Sequence, residues 1–326
     1  MRFDRNFGKI LLTEDNNGVP IPEHNTITLG EKSFELRSLT PHYRYSKGGN
    51  SSVFILHDLT DGSEDKVVKI SNYYKVDRRS SESSKRRYGR FLAEIEALRQ
   101  IKEHTVGENV VTIFEDDVLE IDGFLFPYYV MERADSDLKK YLIDDRKELD
   151  LQEKIKLCYD IFKGIRTIHS LNYYHRDIKP DNIFLFYNKS SSLDEQTSFT
   201  WKVGDLGLAR HRDKDYDDIG EKIGPLGWLS PEAMNKYLTE RAQIGFDCMI
   251  DQASDIFQLG KLFWFIFNLN VPIGQIRLTD FKENMPPHGG FLFEIITDML
   301  QYSKERRCKK ETLEEYIEML ATEVGV

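Results

Sequence analysis

The stretch His175-Arg176-Asp177-Ile178-Lys179-Pro180-Asp181-Asn182 is the most informative part of this chain. It is a polar run bounded by the apolar stretches Ile161-Phe162 and Ile183-Phe184-Leu185-Phe186. Surface turns also favour Pro and Asp, but a turn does not require a carboxylate, a cation and an amide in this order. Those three groups are the proton acceptor, the positive charge and the metal ligand that moving a phosphoryl group requires.

Further motifs stand in a fixed order around this run. Upstream, Lys66-Val67-Val68-Lys69-Ile70 alternates as a β-strand does, and Arg90-Phe91-Leu92-Ala93-Glu94-Ile95-Glu96-Ala97-Leu98 predicts an amphipathic helix with its apolar residues on one face. The motifs downstream are Gly204-Asp205-Leu206-Gly207, Leu229-Ser230-Pro231-Glu232 and Ser254-Asp255-Ile256-Phe257-Gln258-Leu259-Gly260. Together they resemble the eukaryotic-type (Hanks-type) protein kinase family, and most of all its serine/threonine kinases, over roughly residues 43–320.

The resemblance implies an α+β, bilobal protein-kinase fold. A small antiparallel lobe of five strands with one regulatory helix would span residues 43–131, a hinge 132–136 and a larger, mainly helical lobe 137–326. ATP would lie in the cleft between the lobes. Residues 1–42 form an N-terminal extension, in which two short strands around a Gly-Glu-Lys turn predict a β-hairpin packed on the small lobe.

The resemblance assigns four catalytic residues. Asp177 would accept the proton of the attacking hydroxyl, and Lys179 would neutralise charge on the moving phosphoryl group. Lys69 would hold the α- and β-phosphates of ATP, and Glu94 would form an ion pair with Lys69.

ATP and Mg²⁺ are the implied cofactors, with Asn182 and Asp205 as the metal ligands. The phosphate-binding loop, Ser46-Lys47-Gly48-Gly49-Asn50-Ser51-Ser52-Val53, keeps only the central glycine of the family pattern, which predicts a stiffer loop and weaker ATP binding. Met131 would close the back of the adenine pocket. Backbone groups of Glu132 and Ala134 would bind the adenine edge, between Val53 and Val68 above and Phe184 below. The implied nucleotide-binding residues are Lys47, Gly48, Gly49, Asn50, Ser51, Val53, Val68, Lys69, Met131, Glu132, Ala134 and Phe184.

The sequence contains conflicting indications of which residue type receives the phosphoryl group. Lys179 is typical of kinases that act on Ser and Thr, whereas Pro225 and Trp228 stand where tyrosine kinases have the same residues. We give Lys179 more weight because it lies at the transferred phosphate, so the sequence predicts a protein serine/threonine kinase with autophosphorylation. Dual or tyrosine specificity is an alternative, as is a pseudokinase scaffold that binds nucleotide or partners. A small-molecule phosphotransferase is a further alternative, but it usually lacks the Ser-Pro-Glu motif.

The segment 205–232 carries an unusual pattern for regulation. Residues 208–223 contain no Ser or Thr, and their only hydroxyl belongs to Tyr216. Related kinases pair the residue equivalent to Arg176 with a phosphate, so we predict that Asp217 or Asp218 pairs with Arg176 instead. Phosphorylation of Tyr216 and an acidic loop without pairing are the alternatives.

Two further predictions concern surface and structural charges. The stretch 77–87, rich in Ser and Arg, predicts a flexible loop, with self-phosphorylation as an alternative interpretation. By the family pattern, Glu232 should form an ion pair with Arg307 that ties this region to the large lobe.

Composition limits the partners and the location. The chain has 326 residues and a formal net charge of −10, which disfavours nucleic acid as a partner. Its three cysteines have no paired or metal-like spacing, and no apolar run reaches the length of a membrane span. The sequence therefore predicts a cytoplasmic protein without membrane contact, and it leaves the protein substrate and the oligomeric state open.

Overall fold

Two compact units make up the part of the chain that can be described. The computed structural model describes residues 1–39, 49–60, 64–104, 109–188, 198–281 and 289–326. The first unit consists of Met1–Lys102 and Thr112–Arg133, and the second of Glu103–Val111 and Ala134–Val326. The first is built on an antiparallel sheet and the second is mainly helical, which confirms the predicted α+β, bilobal class.

The described residues of the first unit form eight strands. They are β1 (Arg2–Asp4), β2 (Lys9–Leu11), β3 (Thr26–Leu29), β4 (Lys32–Ser38), β5 (Ser51–Asp58), β6 (Lys66–Ser71), β7 (Ile113–Ile121) and β8 (Phe124–Met131). Six of them form one antiparallel sheet in the order β3-β4-β5-β6-β8-β7. Alternate apolar side chains from this sheet, including Phe34, Leu56 and Phe126, form a buried core.

The N-terminal hairpin is part of this sheet. Strands β3 and β4 turn at Gly30, whose φ of +59° suits a residue without a Cβ. Strand β4 then pairs with β5, with Leu36 opposite Leu56. Residues 26–38 therefore extend the sheet by its edge, whereas the sequence suggested a separate hairpin packed on a five-stranded lobe.

The helix of the first unit is longer than the sequence suggested. Helix α1 runs over Glu82–His104 and buries the apolar face formed by Phe91, Ile95 and Leu98, as predicted. It includes residues 82–87, so the prediction of a flexible loop over 77–87 is wrong for that half. Ser81 explains the early start, because its Oγ accepts a 3.1 Å hydrogen bond from the Ser84 N–H of the first turn.

We expect Ser81→Ala to lower the free energy of unfolding by about 1 kcal/mol, because the Ser84 N–H loses its acceptor. Urea unfolding of the full chain measures this. Ser83, which is exposed in the same turn, supplies the control. Equal losses for Ser81→Ala and Ser83→Ala would show that the cap contributes nothing.

The second unit carries the remaining elements. Its strands are β9 (Ser136–Asp137), β10 (Tyr173–Tyr174), β11 (Ile183–Asn188), β12 (Ser198–Val203) and β13 (Arg210–His211). Its helices are α2 (Leu151–Ser170), α3 (Pro231–Thr239), α4 (Gln252–Asn268), α5 (Gly289–Met299) and α6 (Lys310–Val324). Short helical turns occur at Pro22–His24 in the first unit and at Lys140–Asp144, Pro180–Asn182, Leu226–Trp228, Glu240–Ala242 and Leu278–Asp280 in the second. Residues 189–197, between β11 and β12, lie outside the described residues.

Helix α4 forms the centre of the second unit. Fifteen of its residues are buried, from Ser254 to Asn268, so the helix is buried on every side. Asp251 begins it with a capping box. No helix in the described ranges combines the length and apolar character that crossing a membrane requires.

The predicted ion pair between Glu232 and Arg307 is present. The Arg307 Nη2 donates to Glu232 Oε1 at 2.8 Å, and both side chains are buried. It ties α3 to the chain between α5 and α6, so its role is structural.

Candidate active site

The run His175–Asn182 is held in place by α4. Asp255, which is fully buried, accepts hydrogen bonds from the backbone N–H groups of His175 at 2.7 Å and Arg176 at 2.8 Å. These bonds support Arg176 at a φ of +66°, a conformation that is strained for a residue with a Cβ. Asp255 therefore fixes the backbone at the start of this run.

Asp177, Lys179 and Asn182 meet within this run. The Asp177 Oδ2 accepts from Lys179 Nζ at 2.7 Å and from Asn182 Nδ2 at 3.0 Å. The other oxygen, Asp177 Oδ1, is buried and has no hydrogen-bond partner in the part of the chain that the structure describes. A buried carboxylate oxygen without a partner is costly, so Oδ1 is the atom best placed to receive a proton from a bound molecule.

Burial raises the pKa of Asp177 above its usual range. Lys179 opposes this shift through its charge and its hydrogen bond, and the nearby Asp205 carboxylate adds to it. The carboxyl is therefore a stronger base than an ordinary surface aspartate, which suits a proton acceptor.

Asn182 and Asp205 are brought together by β11 and β12. Ile183 pairs with Val203, and the Gly204 N–H donates to Asn182 O at 3.0 Å. Gly204 has no room for a side chain, because a Cβ would lie 2.7 Å from Val111 and 2.8 Å from the Phe184 ring. The chain then turns at Asp205, which has a φ of +56° and an exposed side chain.

These two residues fit a magnesium ion. The Nδ2 of Asn182 is directed to Asp177, which leaves the amide oxygen as its metal-binding atom. Mg²⁺ prefers such oxygen ligands and usually takes only one or two carboxylates, with phosphates and water completing its shell.

In the first unit, Lys69 and Glu94 form the predicted ion pair. Lys69 Nζ lies 2.7 Å from Glu94 Oε1, and the two side chains are 9% and 1% exposed. The Tyr129 hydroxyl donates to the same oxygen at 3.0 Å. Sequence reasoning missed Tyr129, although a polar aromatic residue on the strand beside Lys69 is a signal for such a partner.

The nucleotide-contacting prediction needs one correction. Val53 lies opposite Lys69 across β5 and β6, so their side chains share a face. Val68 lies on the other face, where it is completely buried in the core of the sheet. Because side chains alternate along a strand, Val67 shares the face of Lys69 and replaces Val68 in the candidate site.

The remaining residues predicted to contact the nucleotide are divided between the units. Val53, Met131 and Glu132 belong to the first, and Ala134 and Phe184 to the second. The Glu132 N–H donates to Thr112 O at 3.1 Å, so its carbonyl is the group to consider for adenine.

The phosphate-binding loop is only partly described. Lys47 and Gly48 lie outside the described residues, and the described part begins at Gly49. Asn50 is fixed by two residues that sequence reasoning missed, since Asn72 N–H donates to its carbonyl at 2.9 Å and Arg87 to its side chain at 3.1 Å. Ser51 follows as the first residue of β5 and is buried.

Asp217 is the predicted partner of Arg176. The guanidinium makes two bonds to the carboxylate, at 2.5 and 3.2 Å, and both side chains are 1% exposed. Arg176 Nε also donates to Leu208 O at 2.7 Å. An acidic side chain, that of Asp217, therefore pairs with Arg176, as predicted in place of a phosphate.

Comparison with known proteins gives the family. The Protein kinase domain family matches residues 47–322. The sensor for unfolded proteins in the ER, Ire1, of Schizosaccharomyces pombe is 27% identical over 263 residues, which are 75% of this chain and 22% of that protein. The platelet-derived growth factor receptor beta of Rattus norvegicus is 26% identical over 50% of this chain and 13% of the receptor. The mast/stem cell growth factor receptor Kit of Takifugu rubripes is 29% identical over 43% of this chain and 12% of the receptor. The matched region therefore spans less than a quarter of each of these relatives.

Proposed function

This chain belongs to the protein kinase family, and we propose that it transfers the γ-phosphoryl group of ATP to the Ser and Thr hydroxyls of proteins, itself included. The observation that carries the proposal is the buried Asp177 Oδ1, which has no protein partner among the described residues. Its neighbours Lys179 and Asn182 supply a cation and a metal-binding amide within hydrogen-bond distance of the same carboxylate.

The proposed reaction uses these groups together. The acceptor hydroxyl gives its proton to Asp177 Oδ1 as its oxygen bonds to the γ-phosphorus, and the bond from that phosphorus to the β,γ-bridging oxygen breaks to release ADP. Lys179 stabilises the charge on the moving group, and Lys69, oriented by Glu94, holds the α- and β-phosphates. Asn182 and Asp205 would hold Mg²⁺, which when bound supplies positive charge to the phosphate oxygens.

Ser and Thr specificity rests on Lys179. Its ammonium lies 2.7 Å from the proton acceptor, so it acts on the transferred group itself. Pro225 and Trp228 favour tyrosine, but they lie in the neighbouring chain segment rather than at the phosphate. Dual specificity is therefore the competing outcome of the test.

The test is to incubate the full chain with ATP and Mg²⁺ and to locate the transferred phosphate by mass spectrometry, on the chain and on dephosphorylated casein. Phosphate on Ser and Thr alone is expected. Phosphate on Tyr as well would replace the proposal with dual specificity. Nucleotide binding without any transfer would indicate a pseudokinase.

A cytoplasmic location is part of the proposal. Cys158, Cys248 and Cys308 are free thiols. Free thiols persist in reducing compartments.

The raised pKa of Asp177 gives a pH prediction. Protonated Asp177 cannot accept the hydroxyl proton, so the acid limb of kcat/KM should lie above the pKa of about 3.9 that is usual for Asp. Lys179 lowers this pKa, so Lys179→Met should move the limb to still higher pH. A pH profile of casein phosphorylation checks both. An acid limb at the usual Asp value in both proteins would refute Asp177 as the base.

A further inference from the structure

Gln258 and Lys261 are two of the buried polar side chains of helix α4 that the proposed reaction does not use. Gln258 is 2% exposed and Lys261 is 9% exposed, in a helix that is otherwise apolar over much of its length. Burying an amide or an ammonium costs free energy unless it is hydrogen-bonded. Their presence inside the second unit therefore calls for specific partners.

Gln258 joins two separate pieces of backbone. Its Oε1 accepts from the Ile178 N–H at 3.0 Å, and its Nε2 donates to Arg176 O at 3.1 Å. The two backbone groups lie on either side of Asp177. The same Nε2 also donates to Trp228 O at 3.2 Å. One side chain thus connects the backbone around the proton acceptor with the turn Leu226–Trp228.

Lys261, one helical turn later, holds the same turn. Its Nζ donates to Gly227 O at 2.8 Å. The carbonyls of two successive residues, Gly227 and Trp228, are therefore fixed by α4. The turn itself contributes the bond from Trp228 N–H to Pro225 O at 2.9 Å.

This turn begins directly beside the proton acceptor. A Cβ at Gly224 would lie 3.5 Å from both Asp177 Oδ1 and Arg176 O. The Leu226 side chain at its start is 54% exposed. A hydroxyl that reaches Asp177 Oδ1 must therefore bring the residues next to it over the segment 224–228.

Stability alone does not explain Lys261. Burial lowers its pKa to about 8, so its ammonium, although still the major form at neutral pH, is less stable in the folded protein than in water. A side chain of the same length without the charge would fit the site at lower cost. Proteins keep such residues where activity requires them.

We propose that Gln258 and Lys261 are positioning residues that fix the segment 224–228 against the backbone around Asp177, and that they thereby set how the acceptor protein is bound. The proposal rests on the proposed kinase function. Gln258 contacts both the segment 224–228 and the backbone around Asp177, whereas Lys261 contacts the segment 224–228 alone.

The two residues predict different kinetic changes with dephosphorylated casein as the acceptor. Lys261→Met should raise the KM for casein about 5–10-fold, the loss of one hydrogen bond, with kcat and the KM for ATP unchanged and with an equal or higher Tm. Gln258→Leu should raise the same KM and also lower kcat, because the Ile178 N–H next to Asp177 loses its acceptor. Asn268→Leu is the matched control, since it removes a buried amide from the far end of the same helix.

Hydrogen–deuterium exchange of the full chain tests these contacts of Gln258 and Lys261 without relying on kinase activity. Residues 176–180 and 226–230 should both exchange faster in Gln258→Leu, and only 226–230 in Lys261→Met. Asn268→Leu should keep wild-type exchange in these segments and the wild-type KM for casein. The same result in Gln258→Leu and Lys261→Met would overturn the proposal. If wild type phosphorylates nothing, the kinase function fails and the kinetic role falls with it. The exchange data would then still show whether Gln258 and Lys261 hold the two backbone segments in place.

Discussion

Asp177→Asn is expected to slow phosphoryl transfer by about 10²–10⁴-fold while the protein stays folded. The asparagine keeps the shape and can keep an oxygen facing Lys179 and Asn182, but it cannot take a proton from the acceptor hydroxyl. The loss should therefore appear in kcat, with little change in the KM for ATP. Initial rates on casein at varied ATP concentrations measure kcat and the KM for ATP. The Tm of each protein shows whether it stays folded.

Asp181→Asn is the matched control for this substitution. Asp181 lies in the same run, but its side chain is 45% exposed and pairs with Lys139 at 3.2 Å. Exposed pairs contribute little, so Asp181→Asn should keep nearly the full rate. A rate loss of the same size in both variants would show that the run is sensitive to any change of charge. It would remove Asp177 from its proposed role.

Asp217→Ala is expected to destabilise the protein by about 3–5 kcal/mol, because it leaves the Arg176 guanidinium buried without its carboxylate partner. The residue next to Arg176 is the proposed proton acceptor, Asp177, so turnover should fall as well. Urea unfolding and casein kinetics measure the two effects. Asp218→Ala, an exposed neighbour in the same segment, should change either quantity much less.

A double variant separates stability from activity. Replacing both partners of a buried pair by apolar residues is often neutral or stabilising, so Arg176→Met combined with Asp217→Leu should recover most of the lost stability. If the pair positions the segment 205–232, turnover should remain low in this double variant. Full recovery of turnover with stability would show that the pair serves the fold alone.

The same pair bears on regulation. With a carboxylate already bonded to Arg176, the enzyme should need no phosphate in this segment. Phosphatase-treated protein and Tyr216→Phe should then both keep the wild-type turnover. Loss of activity on either treatment would favour phosphorylation of Tyr216 instead.

Contacts between residues that are close in sequence could be predicted. Asp177, Lys179 and Asn182 are within six residues, so their meeting depends mainly on one local conformation. The partner of Lys69 was predicted from the order of motifs, and that of Arg176, as Asp217 or Asp218, from an acidic segment without Ser or Thr. Both pairs are present, the second through Asp217. Here the family pattern supplied the distant contact that local spacing does not give.

Other features depend on contacts that a sequence pattern does not display. The assignment of Val68 overlooked the alternation of its own strand, in which Val67 shares the face of Lys69. The start of α1 was missed because a Ser- and Arg-rich stretch is typical of loops, while Ser81 also serves as a cap. Nothing in the sequence shows that the Gln258 amide reaches both Ile178 and Trp228.

The most direct test of the central claim compares the full chain incubated with Mg²⁺ and ATP labelled at either the γ- or the α-phosphate, beside Asp177→Asn. The account predicts label on wild-type protein from γ-labelled ATP only, and almost none on Asp177→Asn. No label from γ-labelled ATP, in wild-type protein that still binds nucleotide, would contradict the account, as would label from α-labelled ATP.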